Sequence, residues 1–194
     1  MKLLRRIGVI AALLFAGGAL ADSHPHDAAG FVSTFGSKAE TILNAAGLSD
    51  GERDARLRLL LTDSIDLPRL SKFALGRFWD RATPSQKADY QALFSNFVVN
   101  TYVDLLASQD AKKFDVLGMR PQPGADALVR TRIERPSGEV IDADWHIGRN
   151  GSGYQVYDIT TGGISMAETY RSAVSSVVAV GGMPSLLAVL RARQ

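Results

Sequence analysis

From Phe31 to about Asp110 the apolar positions recur at helical spacing, and after Lys113 they alternate. Phe31, Phe35, Ala39, Ile42, Leu43 and Ala46 form one stripe, and Gly47 is placed to end that helix in the left-handed conformation. Ser49-Asp50-Gly51-Glu52 reads as a capping box opening a second helix, with Leu57, Leu60 and Leu61 on one side. Asp66-Leu67-Pro68 predicts a short third helix running into Phe73-Ala74-Leu75-Gly76-Arg77-Phe78-Trp79. A long helix then starts at Thr83-Pro84-Ser85-Gln86. Thr83 caps the free N–H groups, Pro84 takes the first helical position where its missing N–H is harmless, and Gln86 reaches back. Along it Leu93, Phe94, Phe97, Val98, Val99, Tyr102, Val103, Leu105 and Leu106 spread beyond the roughly 100° stripe of one-sided packing. Such a helix is buried on more than one side or borders a cavity.

The alternating half predicts strands at Phe114–Met119, Ala127–Ile133, Val140–Ile147 and Tyr154–Thr161, separated by turns at Pro121, Pro123-Gly124, Pro136-Ser137-Gly138 and Asn150-Gly151. Ile141, Ala143, Trp145 and Ile147 share one face of their strand, with Asp142, Asp144 and His146 on the other. In the neighbouring strand Val129 and Ile133 oppose Arg130 and Arg132, so the sheet has one apolar and one wet face. Ser165-Met166-Ala167-Glu168 caps a further helix through Tyr170, Val174, Val177 and Val178 that stops at Gly181-Gly182, and Pro184 begins a last short helix. The apolar face must be covered. The expected fold is therefore α+β: an antiparallel four-stranded twisted sheet with helices packed on one face, a shape that can close fully or hold a pocket.

The N-terminus changes the charge picture. Lys2, Arg5 and Arg6 precede an apolar run from Ile7 to Leu20, and Ala19-Leu20-Ala21 offers small residues to a signal peptidase, which predicts a cleaved signal peptide over 1–21 and one domain over 22–194. Without Lys2, Arg5 and Arg6, 22 Lys+Arg become 19 against 20 Asp+Glu, so the mature chain is about −1. The mature chain is expected to be exported. No later stretch is expected to reach the roughly 18 apolar residues of a membrane span. The absence of a basic patch interleaved with aromatics argues against nucleic acid as a partner. Without Cys the chain has no disulfide, thiol nucleophile or Cys-zinc site.

Candidate chemistry is sparse. Asp142, Asp144 and His146, with Asp158 nearby, could be drawn as hard-metal ligands, but Arg130 and Arg132 opposite them favour cross-strand ion pairs, so no metal and no cofactor are expected. His24 and His26 are expected in a frayed mature N-terminus, where any metal binding would be incidental. G-x-S-x-G, P-loop and H-E-x-x-H patterns do not occur. Ser165 fits a helix cap better than a nucleophile. Asp158 beside Tyr157 is the best candidate general base, with hydrogen bonding to the turn toward Gly162-Gly163 as its plainer role.

The order Phe73-x-Leu75-Gly76-Arg77-x-Trp79, Ala82-Thr83-Pro84-x-Gln86, Phe94, Tyr154-x-Val156-Tyr157-Asp158-Ile159, Gly163-Ile164-Ser165 and Tyr170-Arg171 resembles the MlaC, or toluene-tolerance auxiliary, family over about Phe31 to Leu190. The hopanoid-associated HpnM proteins are relatives. The resemblance implies a monomeric, non-enzymatic periplasmic carrier, its twisted sheet and flanking helices enclosing an apolar cavity for the acyl chains. It would take a phospholipid between an outer-membrane lipoprotein/porin complex and an inner-membrane ABC transporter with an MCE-domain subunit, maintaining outer-membrane asymmetry. The expected lipid-binding residues are Phe94, Phe97, Val98, Tyr102, Val129, Ile133, Trp145, Ile147, Ile164 and Tyr170, with Arg77 as head-group candidate. A carrier of another lipid such as a hopanoid, a small-pocket cone-shaped α+β enzyme and a ligand-free adaptor with a filled core are the competing readings.

Overall fold

The computed structural model describes residues 26–107, 113–151 and 153–194. The signal-peptide expectation and His24 lie outside them. Among the described residues five α-helices and a sheet follow in the order α1 (His26–Leu43), α2 (Asp50–Ser64), α3 (Leu67–Leu75), α4 (Pro84–Ala107), β1 (Lys113–Pro121), β2 (Ala127–Glu134), β3 (Val140–Asn150), β4 (Gly153–Thr161), β5 (Ile164–Ser165) and α5 (Met166–Arg191).

Local chemistry accounts for most of these boundaries. Ser49 accepts from the Glu52 N–H while the Glu52 carboxylate accepts from the Ser49 N–H, closing the capping box that starts α2. The reciprocal pair forms between Thr83 and Gln86 at the head of α4. Asp66 caps α3 by accepting from Arg69 N–H, with Pro68 in the first turn. α1 stops at Leu43, short of Ala46, and Gly47 takes φ 90° in the turn that follows. The expected end of α4 near Asp110 falls outside the described residues.

The sheet is open and antiparallel, in the order β1-β2-β3-β4-β5. It has five strands where four are expected, because Gly162 and Gly163, both at positive φ, fold Ile164–Ser165 back onto Thr160 and Thr161. Bulges at Leu117 in β1 and Tyr157 in β4 interrupt the pairing with β2 and β3. α1 packs on β1 and β2, while α2, α3 and α5 pack on β4. The corner between α2 and α3 is stitched to β4: Ile65 bridges Val156, and Asp66 N–H donates to the Val156 carbonyl at 2.8 Å.

α5 departs from expectation twice. It runs as one element to Arg191, turning at Gly182 (φ 66°, ψ −172°), so the stop and restart form a break within it. Among the described residues it alone is long and apolar enough to cross a membrane by length and composition, where no such stretch is expected. Its break leaves pieces shorter than a span, and Tyr170, Val174, Val178, Leu186, Leu187 and Leu190 are buried in the protein.

Candidate functional site

The apolar faces of β2, β3 and β4 and the buried sides of the five helices form one continuous interior. Val129, Ile147, Val98 and Phe94 are at most 1% exposed there. The Trp145 ring is held edge-on to Phe35 at 5.4 Å and Phe114 at 6.2 Å, while its Nε1–H donates to the buried Thr131 hydroxyl at 2.8 Å. Phe94 and Phe97 meet Tyr170 edge-on at 5.6 and 6.1 Å. Alternation along β2 and β3 thus puts the expected residues Val129, Trp145 and Ile147 on the same interior as the α4 and α5 residues Phe94, Val98 and Tyr170. Phe97 and Tyr102 are partly buried against that interior.

Two expected wall residues are elsewhere. Ile164 is 64% exposed, because the Gly162-Gly163 turn carries it to the outside of the short β5. Ile133 is half-buried at the end of β2 opposite Phe114 and Ile141, beyond the packed core.

The expected apolar cavity is largely filled by side chains. What stays open between α3, α4, β4 and the head of α5 is about 20 Å³, room for about one water, walled by Ile65, Leu70, Tyr102, Val156, Tyr157, Asp158, Ile159, Met166, Ala167 and Tyr170. Burial pushes the Tyr102 phenol far up and the Tyr170 phenol up to about 12. Tyr170 is 7% exposed, and its buried hydroxyl has no hydrogen-bond partner among the described residues. A larger concavity of about 500 Å³ between α1 and α2 is an open groove with mixed walls, in which Ile42 and Leu60 stand beside Ser33, Ser37, Lys38 and Asp63, and it is open to solvent rather than enclosed.

Asp158 points into a set of donors rather than toward a substrate. It accepts from Ile159 N–H at 2.8 Å, Ser165 Oγ–H at 2.6 Å and Ala167 N–H at 2.9 Å, so its role is to tie β4 to the start of α5. This goes further than the turn expected from sequence. Ser165 in turn accepts from Glu168 N–H as the cap of α5.

Arg77, the expected head-group residue, is exposed and lies 5.0 Å from the Phe78 ring, which is not part of the cavity wall. Its neighbours form an outer corner: Arg171 over Phe73 at 5.0 Å, with Lys72 and Lys87 over Trp79 at 6.0 and 5.4 Å. The cation beside the wall is Arg69, which sequence reasoning missed. Its guanidinium stacks 3.5 Å over Tyr157 and donates to Asp126 at 3.0 Å. Gly148 makes room for it, since a Cβ there would stand 2.6 Å from Arg69 Nη1. A glycine inside a strand is the sequence signal for such a close approach. Thr131, the other missed residue, sits in the alternating pattern of β2, but only its partner Trp145 reveals the need for a buried hydroxyl.

The outer face of the sheet carries the acidic triplet. Asp144 accepts two bonds from Arg130, at 2.9 and 3.2 Å, and Asp142 two from Arg132, at 2.7 and 2.8 Å. These bonds hold both carboxyls below the usual carboxylate range. His146 meets the Thr160 hydroxyl at 3.3 Å. The arginines thus occupy the carboxylates that a metal would need.

A solved structure described as the phospholipid-binding protein from Ralstonia solanacearum in complex with a phospholipid matches with a TM-score of 0.73 and 28% identity, covering 86% of this chain and 96% of that one. The sequence profile described as MlaC protein matches residues 38–192, which is most of the chain. The protein belongs to the MlaC family.

Proposed function

We propose that this protein is a periplasmic phospholipid carrier that binds its cargo by the acyl chains and passes it between outer-membrane and inner-membrane complexes. The observation that carries the reading is the convergence of β2–β4 with α4 and α5 on one apolar interior, in a chain whose similar solved structure is described as holding a phospholipid.

Energetics define what that interior must do. Two acyl chains carry about 30 methylenes, worth roughly 24 kcal/mol of burial at about 0.8 kcal/mol each, so a shallow groove is inadequate. The interior of about 20 Å³ must open, the helices parting from the sheet as chains replace the side-chain contacts they now make. Arg69, on the edge of the wall, is better placed than Arg77 to meet a phosphate. No covalent step is required: lipid moves by partition between sites of different affinity.

The filled interior also fits a ligand-free adaptor. Native mass spectrometry of the protein purified from a bacterial periplasm, with its lipid extract, separates the two. A near-stoichiometric diacyl phospholipid supports the carrier; lipid-free protein that refuses phospholipid from vesicles favours the adaptor, and a hopanoid changes the cargo.

A further inference from the structure

We propose that the Tyr102 and Tyr170 hydroxyls form a seat for the ester carbonyls of a diacyl lipid, so that the protein selects ester-linked lipids over hydrocarbons without an acceptor. This rests on the carrier reading and specifies its cargo.

The two phenols, one from α4 and one from α5, border the same small cavity. Their hydroxyls face each other at a geometry too poor for a well-formed hydrogen bond, and since a pair of phenols has two O–H donors, at least one of them finds no acceptor in the pair. Tyr170 is only 7% exposed, and a buried hydroxyl without a hydrogen bond costs the fold free energy unless a water or a ligand in the cavity accepts that bond. Chemistry narrows the ligand. Most of the wall is aliphatic, from Ile65 and Leu70 to Val156 and Ile159, so the group that enters must be flanked by hydrocarbon. Asp158, the wall's carboxylate, is filled by three donors, and its charge opposes a phosphate. What fits is a neutral acceptor between apolar chains. An acyl ester carbonyl has that character, whereas an alkyl ether oxygen is a weak acceptor and a hopanoid hydrocarbon has none.

The test offers the full mature chain a competing pair of phosphatidylglycerols with equal chain lengths, one diester and one diether, in vesicles, and quantifies bound lipid by mass spectrometry. Wild type is expected to prefer the diester about tenfold, and Tyr170→Phe and Tyr102→Phe to cut that preference severalfold while still loading lipid. With a ¹³C-labelled ester, the bound carbonyl stretch should shift to lower frequency in wild type and lose that shift in Tyr170→Phe. Equal uptake of both lipids by wild type, or an unchanged preference in both variants, overturns the seat and leaves the carrier reading standing. Failure to load either lipid overturns the carrier reading itself.

Discussion

The two faces of β2 and β3 are built from alternate residues of the same strands, yet they are held by different physics. On the outer face, Arg130–Asp144 and Arg132–Asp142 are directly opposed pairs, and the register alone determines each partner. These side chains stay between about a quarter and three-fifths exposed, so water screens them. On the inner face, Trp145 also has a registered partner in Val129, but its neighbours Phe35 and Phe114 come from α1 and β1. The difference teaches where cargo can be accommodated. A face satisfied by its own strands is complete, whereas one that relies on helices can exchange those contacts for acyl chains.

The largest test of this contrast removes one residue from each face. Trp145→Ala should lower stability by about 3–5 kcal/mol in urea unfolding, since it deletes the ring contacts and leaves the Thr131 hydroxyl only its 3.4 Å bond to the Ala143 carbonyl. Asp144→Ala, the neighbouring residue, should cost less than about 1 kcal/mol. Comparable losses at the two positions would erase the distinction between the faces.

At the boundary between the faces, Asp158→Ala should cost about 1.5–3 kcal/mol, because one donor in β4 and two at the start of α5 lose a charged acceptor. Differential hydrogen exchange should show the loss concentrated at Ala167–Tyr170. An unchanged protection pattern there would deny Asp158 its anchoring role.

Gly148→Ala tests head-group binding. The new Cβ meets the far end of a flexible arginine, so Arg69 should leave Tyr157 and Asp126 at a stability cost of about 1–2 kcal/mol. Phospholipid retention on anionic lipid should fall severalfold in a vesicle-exchange assay, and retention equal to wild type would remove Arg69 from the site.

The smallest effect is the pH response of the outer face. Asp142 and Asp144 have folded-state values below the ordinary 3.8, so their pairs contribute fully above that value and lose their contribution as the pH falls through it toward the folded values. Acid unfolding of Asp142→Asn/Asp144→Asn should therefore differ from wild type less below the window than above it, with a flat difference from about pH 5 upward. A difference that grew on acidification would contradict the sign.

Much of this was legible because it is local. Capping boxes at Ser49 and Thr83 act within one turn, and period-two alternation places Asp142 and Trp145 on opposite faces whatever else the chain does. The site was less legible. Ile164 carries the right chemistry for a wall, but two positive-φ glycines turn it outward. Arg77 and Arg69 are indistinguishable as exposed arginines in sequence; only packing shows that one stacks on Phe78 and the other on a wall tyrosine.

Short-range steric and hydrogen-bonding rules let the sequence by itself determine the helices, the antiparallel strands, the ion-pair face and the absence of thiol chemistry. The tertiary structure alone decided that β5 joins the sheet, that α5 bends without ending at Gly182, that Asp158 is an anchor, and that the interior closes around an unpaired Tyr170 hydroxyl. Each of those depends on groups far apart in the chain or on a backbone angle open to glycine, and no local pattern specifies which distant side chain will arrive.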